Sequence, residues 1–111
     1  MKTLKTILAI ALVAAFTSVM AAADTLKIKT SAQCGDCKER IENKLNFTKG
    51  IKNAKLDLST KIVTVIFDPS KIKSEEIKSV INKTGYDADE MPANEKTYNK
   101  LPKCCKKGGH E

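Results

Sequence analysis

Apolar and polar residues alternate along Thr25-Leu26-Lys27-Ile28-Lys29-Thr30, so Leu26 and Ile28 fall on one side. That period of two predicts a strand with one buried face. The period then changes. Cys37, Ile41 and Leu45 recur every fourth residue, a single apolar stripe on a helix that includes Lys38 to Leu45. Asn46 to Gly50 interrupts it. Ile51 to Leu58 alternates again through Ala54, Leu56 and Leu58, with Lys55 and Asp57 facing outward. After the short connection Ser59-Thr60-Lys61 comes Ile62-Val63-Thr64-Val65-Ile66-Phe67, a nearly continuous β-branched run of the kind a central strand carries. Residues 51–67 therefore predict a hairpin.

Asp68-Pro69 ends the hairpin. Ser74 is the expected N-cap of a second helix, with Glu75 and Glu76 in its first turn, where the helix dipole favours acids. Ile77, Val80 and Ile81 give it a buried stripe, and Gly85 suits the left-handed residue that stops a helix. Tyr86 to Met91 predicts a short, polar last strand at a sheet edge, closed by Pro92. The order strand, helix, strand, strand, helix, strand specifies an α+β fold. It is the ferredoxin-like βαββαβ sandwich, a four-stranded antiparallel sheet with two helices on one face. In it the first and last strands are neighbours. The end of the first strand then lies beside Gly85 and Tyr86.

Two segments stand outside this pattern. Lys2 and Lys5, the unbroken apolar run Ile7 to Phe16 and the small residues Ala21-Ala22-Ala23 predict a cleaved secretion signal over residues 1–23. The apolar run is about half of what a membrane-spanning helix needs. Export, to a periplasmic location, is the expected outcome, with one small domain over 24–91. From Pro92 to Glu111 no period survives, and 92–111 is expected to be a flexible Lys- and Cys-containing tail.

The formal charge is +7, and removal of Lys2 and Lys5 lowers it to about +5. The excess is spread as single lysines among acids, and the exported part has one arginine, Arg40. A nucleic-acid partner would call for clustered arginines with interleaved aromatics, so none is expected. The single histidine, His110, lies in the tail, and no His-based nucleophile can be assembled in the domain, so the chain is not expected to be an enzyme.

The chemistry is expected at Cys34-Gly35-Asp36-Cys37, between the first strand and the first helix. Two thiols on a turn that opens a helix can converge on one soft metal ion or on one redox partner. Here residues 25–91 resemble the heavy-metal-associated domain, the module of copper chaperones, of the cytosolic ends of metal-pumping ATPases and of periplasmic mercury-binding proteins. Its Gly-Met-Thr-Cys-x-x-Cys corresponds to Ser31-Ala32-Gln33-Cys34-Gly35-Asp36-Cys37. Its helix positions are Ile41 and Leu45, and its Gly-Val is Gly50-Ile51. Its third strand and Asp-Pro are Val63 to Pro69, and its Glu-Glu-Ile, Ile and Gly-Tyr are Glu75-Glu76-Ile77, Ile81 and Gly85-Tyr86. With a signal peptide, the layout most resembles the periplasmic mercury-binding type. The resemblance implies metal binding by Cys34 and Cys37, with Tyr86 over the metal loop. Ala32 replaces the methionine that props that loop in the family, which implies a looser loop.

Thiolate is the ligand form. The first-turn N–H groups and the dipole are expected to lower the pKa of Cys37. Two sulfurs suit Cu(I) or Hg(II), while Zn(II) normally takes four ligands and would need Asp36, water or a partner. Asp36 is expected either to favour a divalent ion or simply to cap the helix. An open site suits delivery to a metal transporter or another thiol protein by a monomer, with a metal-bridged dimer as a variant. The competing reading is a thioredoxin-like dithiol/disulfide protein using the same cysteines. Against it, no Trp precedes Cys34 and a hairpin follows the helix. Oxidation to an inert Cys34–Cys37 bridge is a third reading. For the tail, Cys104, Cys105 and His110 are candidates for a second soft-metal site, for extra sulfurs folded back onto Cys34 and Cys37, or for bridging two molecules. A solvated tail with incidental thiols is the alternative.

Overall fold

The computed structural model describes residues 23–107. Residues 1–22 of the expected signal, and His110, lie outside the described residues. Along the chain run β1 (Asp24–Lys29), α1 (Gly35–Asn46), β2 (Ile51–Asp57), β3 (Ile62–Phe67), α2 (Ser74–Thr84), α3 (Glu95–Asn99) and a 3-10 turn, Lys103–Cys105. The three strands form one antiparallel sheet in the order β1-β3-β2. The β-branched run of β3 takes the centre, where Val63 pairs with Ile28 on one side and Leu56 on the other.

One face of the sheet is dry. Ile28, Val63 and Val65 from the strands meet Ile41 and Leu45 of α1 and Ile77 and Ile81 of α2, all at most 1% exposed. Each such aliphatic side chain contributes roughly 1.5–3 kcal/mol on burial. Cys37 belongs to the same stripe and the same core at 0% exposure, so the packing that forms the fold also fixes one of the candidate ligands. The free edge of β2 is covered by side chains of α1. Glu42 Oε2 accepts from Leu56 N–H at 2.7 Å, and Asn46 Oδ1 accepts from Ala54 N–H at 2.9 Å. This satisfies backbone groups that an open edge would offer to another chain. Two expected details differ. Leu58 lies beyond β2, 37% exposed, because the turn begins at Leu58. Lys73, not Ser74, is the N-cap of α2, and its N–H donates to Glu76 Oε1 at 3.3 Å.

The fourth strand expected over Tyr86–Met91 is not formed among the described residues. The segment does lie beside the end of β1, but it meets it through the single bridge Thr30–Ala88. The reason is Asp89. It adopts a left-handed φ of 51° and turns the chain so that Ala88 and Met91 bond each other through both backbone pairs at 2.9 Å. Its carboxylate then takes the place of a strand carbonyl, accepting from Lys29 N–H at 2.8 Å, while its own N–H donates to Lys29 O at 2.8 Å. No residue from 86 to 91 is β-branched, so little favours an extended alternative.

Between Pro92 and Lys107 the chain packs against the domain. Asn94 caps α3 by accepting from Thr97 N–H, and its own N–H donates to Asn82 O at 2.9 Å. Leu101 is 7% exposed and packs on Gly85, whose left-handed φ of 112° leaves room that a Cβ would take up, 3.1 Å from the Leu101 side chain. Lys107 closes the strap: its Nζ is 2.6 Å from Asp87 Oδ2 and its N–H donates to Tyr98 Oη at 3.0 Å. Cys104 and Cys105 sit between these two anchors.

Candidate metal centre

The loop from β1 to α1 is set by hydrogen bonds. Thr30, 4% exposed, donates its hydroxyl to Lys61 O at 2.9 Å and accepts from Ala32 N–H at 3.3 Å. Ser31 Oγ accepts from Asp87 N–H at 2.9 Å, which ties the loop to the segment after α2. Ala32, which stands where the resembling family has a propping methionine, is fully buried. Ser31 was not singled out in the sequence as a site residue, and no periodic signal would have found it.

Cys34 is the N-cap of α1, with an extended backbone (φ −150°, ψ 178°) and no capping bond from its side chain. Asp36 is therefore not the cap. Its Oδ2 instead lies 3.7 Å from Cys104 Sγ. Cys37 follows in the first helical turn, which brings its Sγ to 3.4 Å from Cys34 Sγ. That exceeds the roughly 2.05 Å of a disulfide, and all four cysteines are free.

Cys104 and Cys105 come back onto this pair. Cys105 Sγ is 3.8 Å from Cys34 Sγ and 3.9 Å from Cys104 Sγ. The sulfurs of Cys34, Cys104 and Cys105 all lie within 4.8 Å of one another. Cys105 is 1% exposed, and Cys34 and Cys104 are half-buried. The tail cysteines thus lie against Cys34, with Cys37 outside the group of three. The sequence signal for it was slight: Tyr98 and Leu101, three residues apart, are the apolar pair that docks the strap.

The electrostatics divide the thiols. Burial pulls Cys34 upward, but the Cys37 backbone N–H and the Cys104, Cys37 and Cys105 thiols outweigh it and bring its pKa down to about 7. Cys37 goes the other way. Burial, joined by the Cys105 thiol, pushes it up to about 11 in spite of the helix N-terminus. The expectation that Cys37 would be the acidic thiol is thus reversed, because desolvation of a core residue outweighs the dipole at its turn. Burial also raises Cys105, while Cys104 is raised chiefly by the neighbouring Cys34. Tyr86 is fully buried, and its hydroxyl has no hydrogen-bond partner. Burial, then the adjoining Cys105 and Cys37 thiols, raise its pKa far above the usual phenol value. A buried hydroxyl facing thiols is a donor awaiting a thiolate, so the residues present fit a thiophilic cation.

The helix after the thiols leads into an antiparallel hairpin, not a crossover to a parallel strand, and the thioredoxin-like reading finds no support. The copper chaperone CopZ of Staphylococcus aureus (strain bovine RF122 / ET3-1) is 37% identical over 54 residues, covering 49% of this chain and 79% of that protein. The copper-exporting P-type ATPase of Bacillus subtilis (strain 168) is 34% identical over 53 residues, 48% of this chain and 7% of the ATPase. The solved structure of oxidized MerP from Ralstonia metallidurans CH34 superposes with a TM-score of 0.59 at 17% identity, covering 61% of this chain and 96% of that one. At that identity the likeness is one of fold. The family model of the heavy-metal-associated domain matches residues 31–87, from the thiol loop to the Asp87 that holds the strap, and the chain belongs to that family.

Proposed function

We propose that this protein captures Cu(I) through Cys34 and Cys37 and passes it to a thiol-bearing acceptor, a copper-exporting transporter being the acceptor class we favour. The observation that carries this is the 3.4 Å approach of the two sulfurs at the opening of α1, one acidic and half-buried, the other held in the core. Sulfur ligands select soft ions and argue against calcium and magnesium. The similarity to a CopZ copper chaperone and to a segment of a copper-exporting ATPase supports copper as the ion. Transfer proceeds by exchange: an acceptor thiolate adds to the ion, one Cu–S bond of the donor then breaks, and the released thiolate takes up a proton. No free ion is formed, and the role is binding and transfer with no catalysed reaction. The proposal includes export to the periplasm through the leader over residues 1–23, supported by Lys2, Lys5 and the apolar run after them.

The test is titration of the reduced chain with Cu(I), Hg(II) and Zn(II), beside a Cys34→Ser/Cys37→Ser variant. One equivalent of Cu(I) should bind the wild type most tightly, and the variant should lose it. Uptake by the variant equal to that of the wild type would refute the assignment.

A further inference from the structure

We propose that Cys104 and Cys105 are ligands in cis, completing with Cys34 and Cys37 a single site that holds its ion by three or four sulfurs. This rests on the assignment of Cys34 and Cys37 above, and it changes what that site is: a closed centre under a strap, where a two-sulfur site would be open.

The first argument is distance. A metal–thiolate bond is about 2.3 Å, so a linear two-coordinate ion would hold its sulfurs roughly 4.6 Å apart, whereas the edges of a tetrahedron with the same bonds are about 3.8 Å. The separations found are 3.4 Å for Cys34–Cys37, 3.8 Å for Cys34–Cys105 and 3.9 Å for Cys104–Cys105. The last two match the edge of a three- or four-sulfur polyhedron, the first is shorter, and all three fall well short of the linear span. The sulfurs that lie within 4.8 Å of one another are those of Cys34, Cys104 and Cys105, with Cys37 joined to them at Cys34.

The second argument is that the strap is built. Leu101 is buried on Gly85 on one side of the cysteine pair, and Lys107 is tied to Asp87 and Tyr98 on the other. The 3-10 turn Lys103–Cys105 between them, closed by Cys105 N–H to Pro102 O at 2.9 Å, points the Cys105 sulfur inward at 1% exposure. A solvated tail would leave both of its thiols in water, and this one does not. The third argument is Tyr86. Its buried, unpartnered hydroxyl adjoins Cys37 and Cys105, and those two acquire full acceptor strength only as metal-bound thiolates. The ligand class is one thiophilic ion that accepts three or four sulfurs, Cu(I) or Zn(II). Cys104, half-buried and beside Asp36, is the ligand that an acceptor thiol reaches first.

X-ray absorption on the reduced full chain, loaded with one equivalent of Cu(I) or of Zn(II), counts the sulfurs. Three or four are expected in the wild type with the protein monomeric by sedimentation, and two in Cys104→Ser/Cys105→Ser. The double variant should also bind Zn(II) about a hundredfold more weakly. A count of two in the wild type would overturn the inference without recourse to any variant. So would a count of three or four found only in dimers, or one unchanged in the double variant. If instead Cys34→Ser/Cys37→Ser binds as the wild type does, it is the reading of Cys34 and Cys37 that fails.

Discussion

Cys34 should be the thiol that reacts first, and by a margin that can be worked out. With pKa values of about 7 and about 11, Cys34 is half ionised at pH 7 while Cys37 holds only about one thiolate in ten thousand. Intrinsic nucleophilicity falls with pKa along a Brønsted slope of about 0.4–0.5, which makes each Cys34 thiolate roughly 60-fold less reactive than a Cys37 thiolate. The product still favours Cys34 on the order of 100-fold. Burial of Cys37 at 0% exposure widens the gap. The assay is substoichiometric iodoacetamide on the reduced, metal-free chain from pH 5.5 to 9, with the modified cysteine located by peptide mass spectrometry. Cys34 labelling should rise with a midpoint near 7. Cys104→Ser/Cys105→Ser should move that midpoint upward, since it removes two of the thiol donors that hold the Cys34 thiolate. First labelling at Cys37, or a wild-type Cys34 midpoint above about 8.5, the ordinary value for a free thiol, would refute the reasoning.

Tyr86→Phe removes a buried hydroxyl that has no partner, a group whose desolvation costs about 1–3 kcal/mol, so the Tm of the metal-free protein should hold or rise. A fall of several degrees would mean that the hydroxyl is already bonded. Leu101→Ala empties the strap's anchor, with a cost of about 2–5 kcal/mol to whatever the anchor holds. Thiol labelling of Cys105 should then accelerate while that of Cys37 does not, and equal protection of Cys105 would show that Leu101 is not the anchor. Metal-free stability should depend on pH with opposite signs on either side of about 9. Cys34 is depressed from 9.0 to about 7, so between those values the unfolded chain binds the extra proton and stability rises with pH. Cys37 is raised from 9.0 to about 11, so above 9 the folded chain binds it and stability falls. Urea midpoints from pH 6.5 to 10.5 in reductant would show the maximum, and a monotonic course would contradict it.

The parts of this fold that a reader of the sequence can see are those with a strong period. The stripe Cys37, Ile41, Leu45 and the run Ile62 to Phe67 each had one way to bury themselves, and β1, α1, β2, β3 and α2 follow. What stayed hidden was decided by single side chains. Asp89 replaced a strand by a turn because its carboxylate can do the work of a backbone carbonyl, a choice that alternation does not report. The acidic thiol was assigned to Cys37 from its place in the first turn, but the same stripe that predicts the helix buries Cys37, and burial won. The strap after Pro92 lacked any period because two apolar residues, Tyr98 and Leu101, and one ion pair at Asp87 were enough to dock it.

Each cysteine pair supplies one inner and one outer sulfur. Cys37 and Cys105 are at most 1% exposed and adjoin Tyr86, whereas Cys34 and Cys104 are half-buried on the side of Asp36. If the four sulfurs form the site proposed above, metal capture there would have a direction. Among the four thiols only Cys34 has its pKa lowered, so it offers the first bond. On the proposed assignment the inner thiols would stay protonated until an ion bound at Cys34 lay next to them, and the ion would then replace their protons. Tyr86 would offer its hydroxyl to the charge left behind. Burial, which by itself would make Cys37 and Cys105 poor ligands, would thereby become a way of holding them in reserve, to ionise for a metal already bound at Cys34 and for little else.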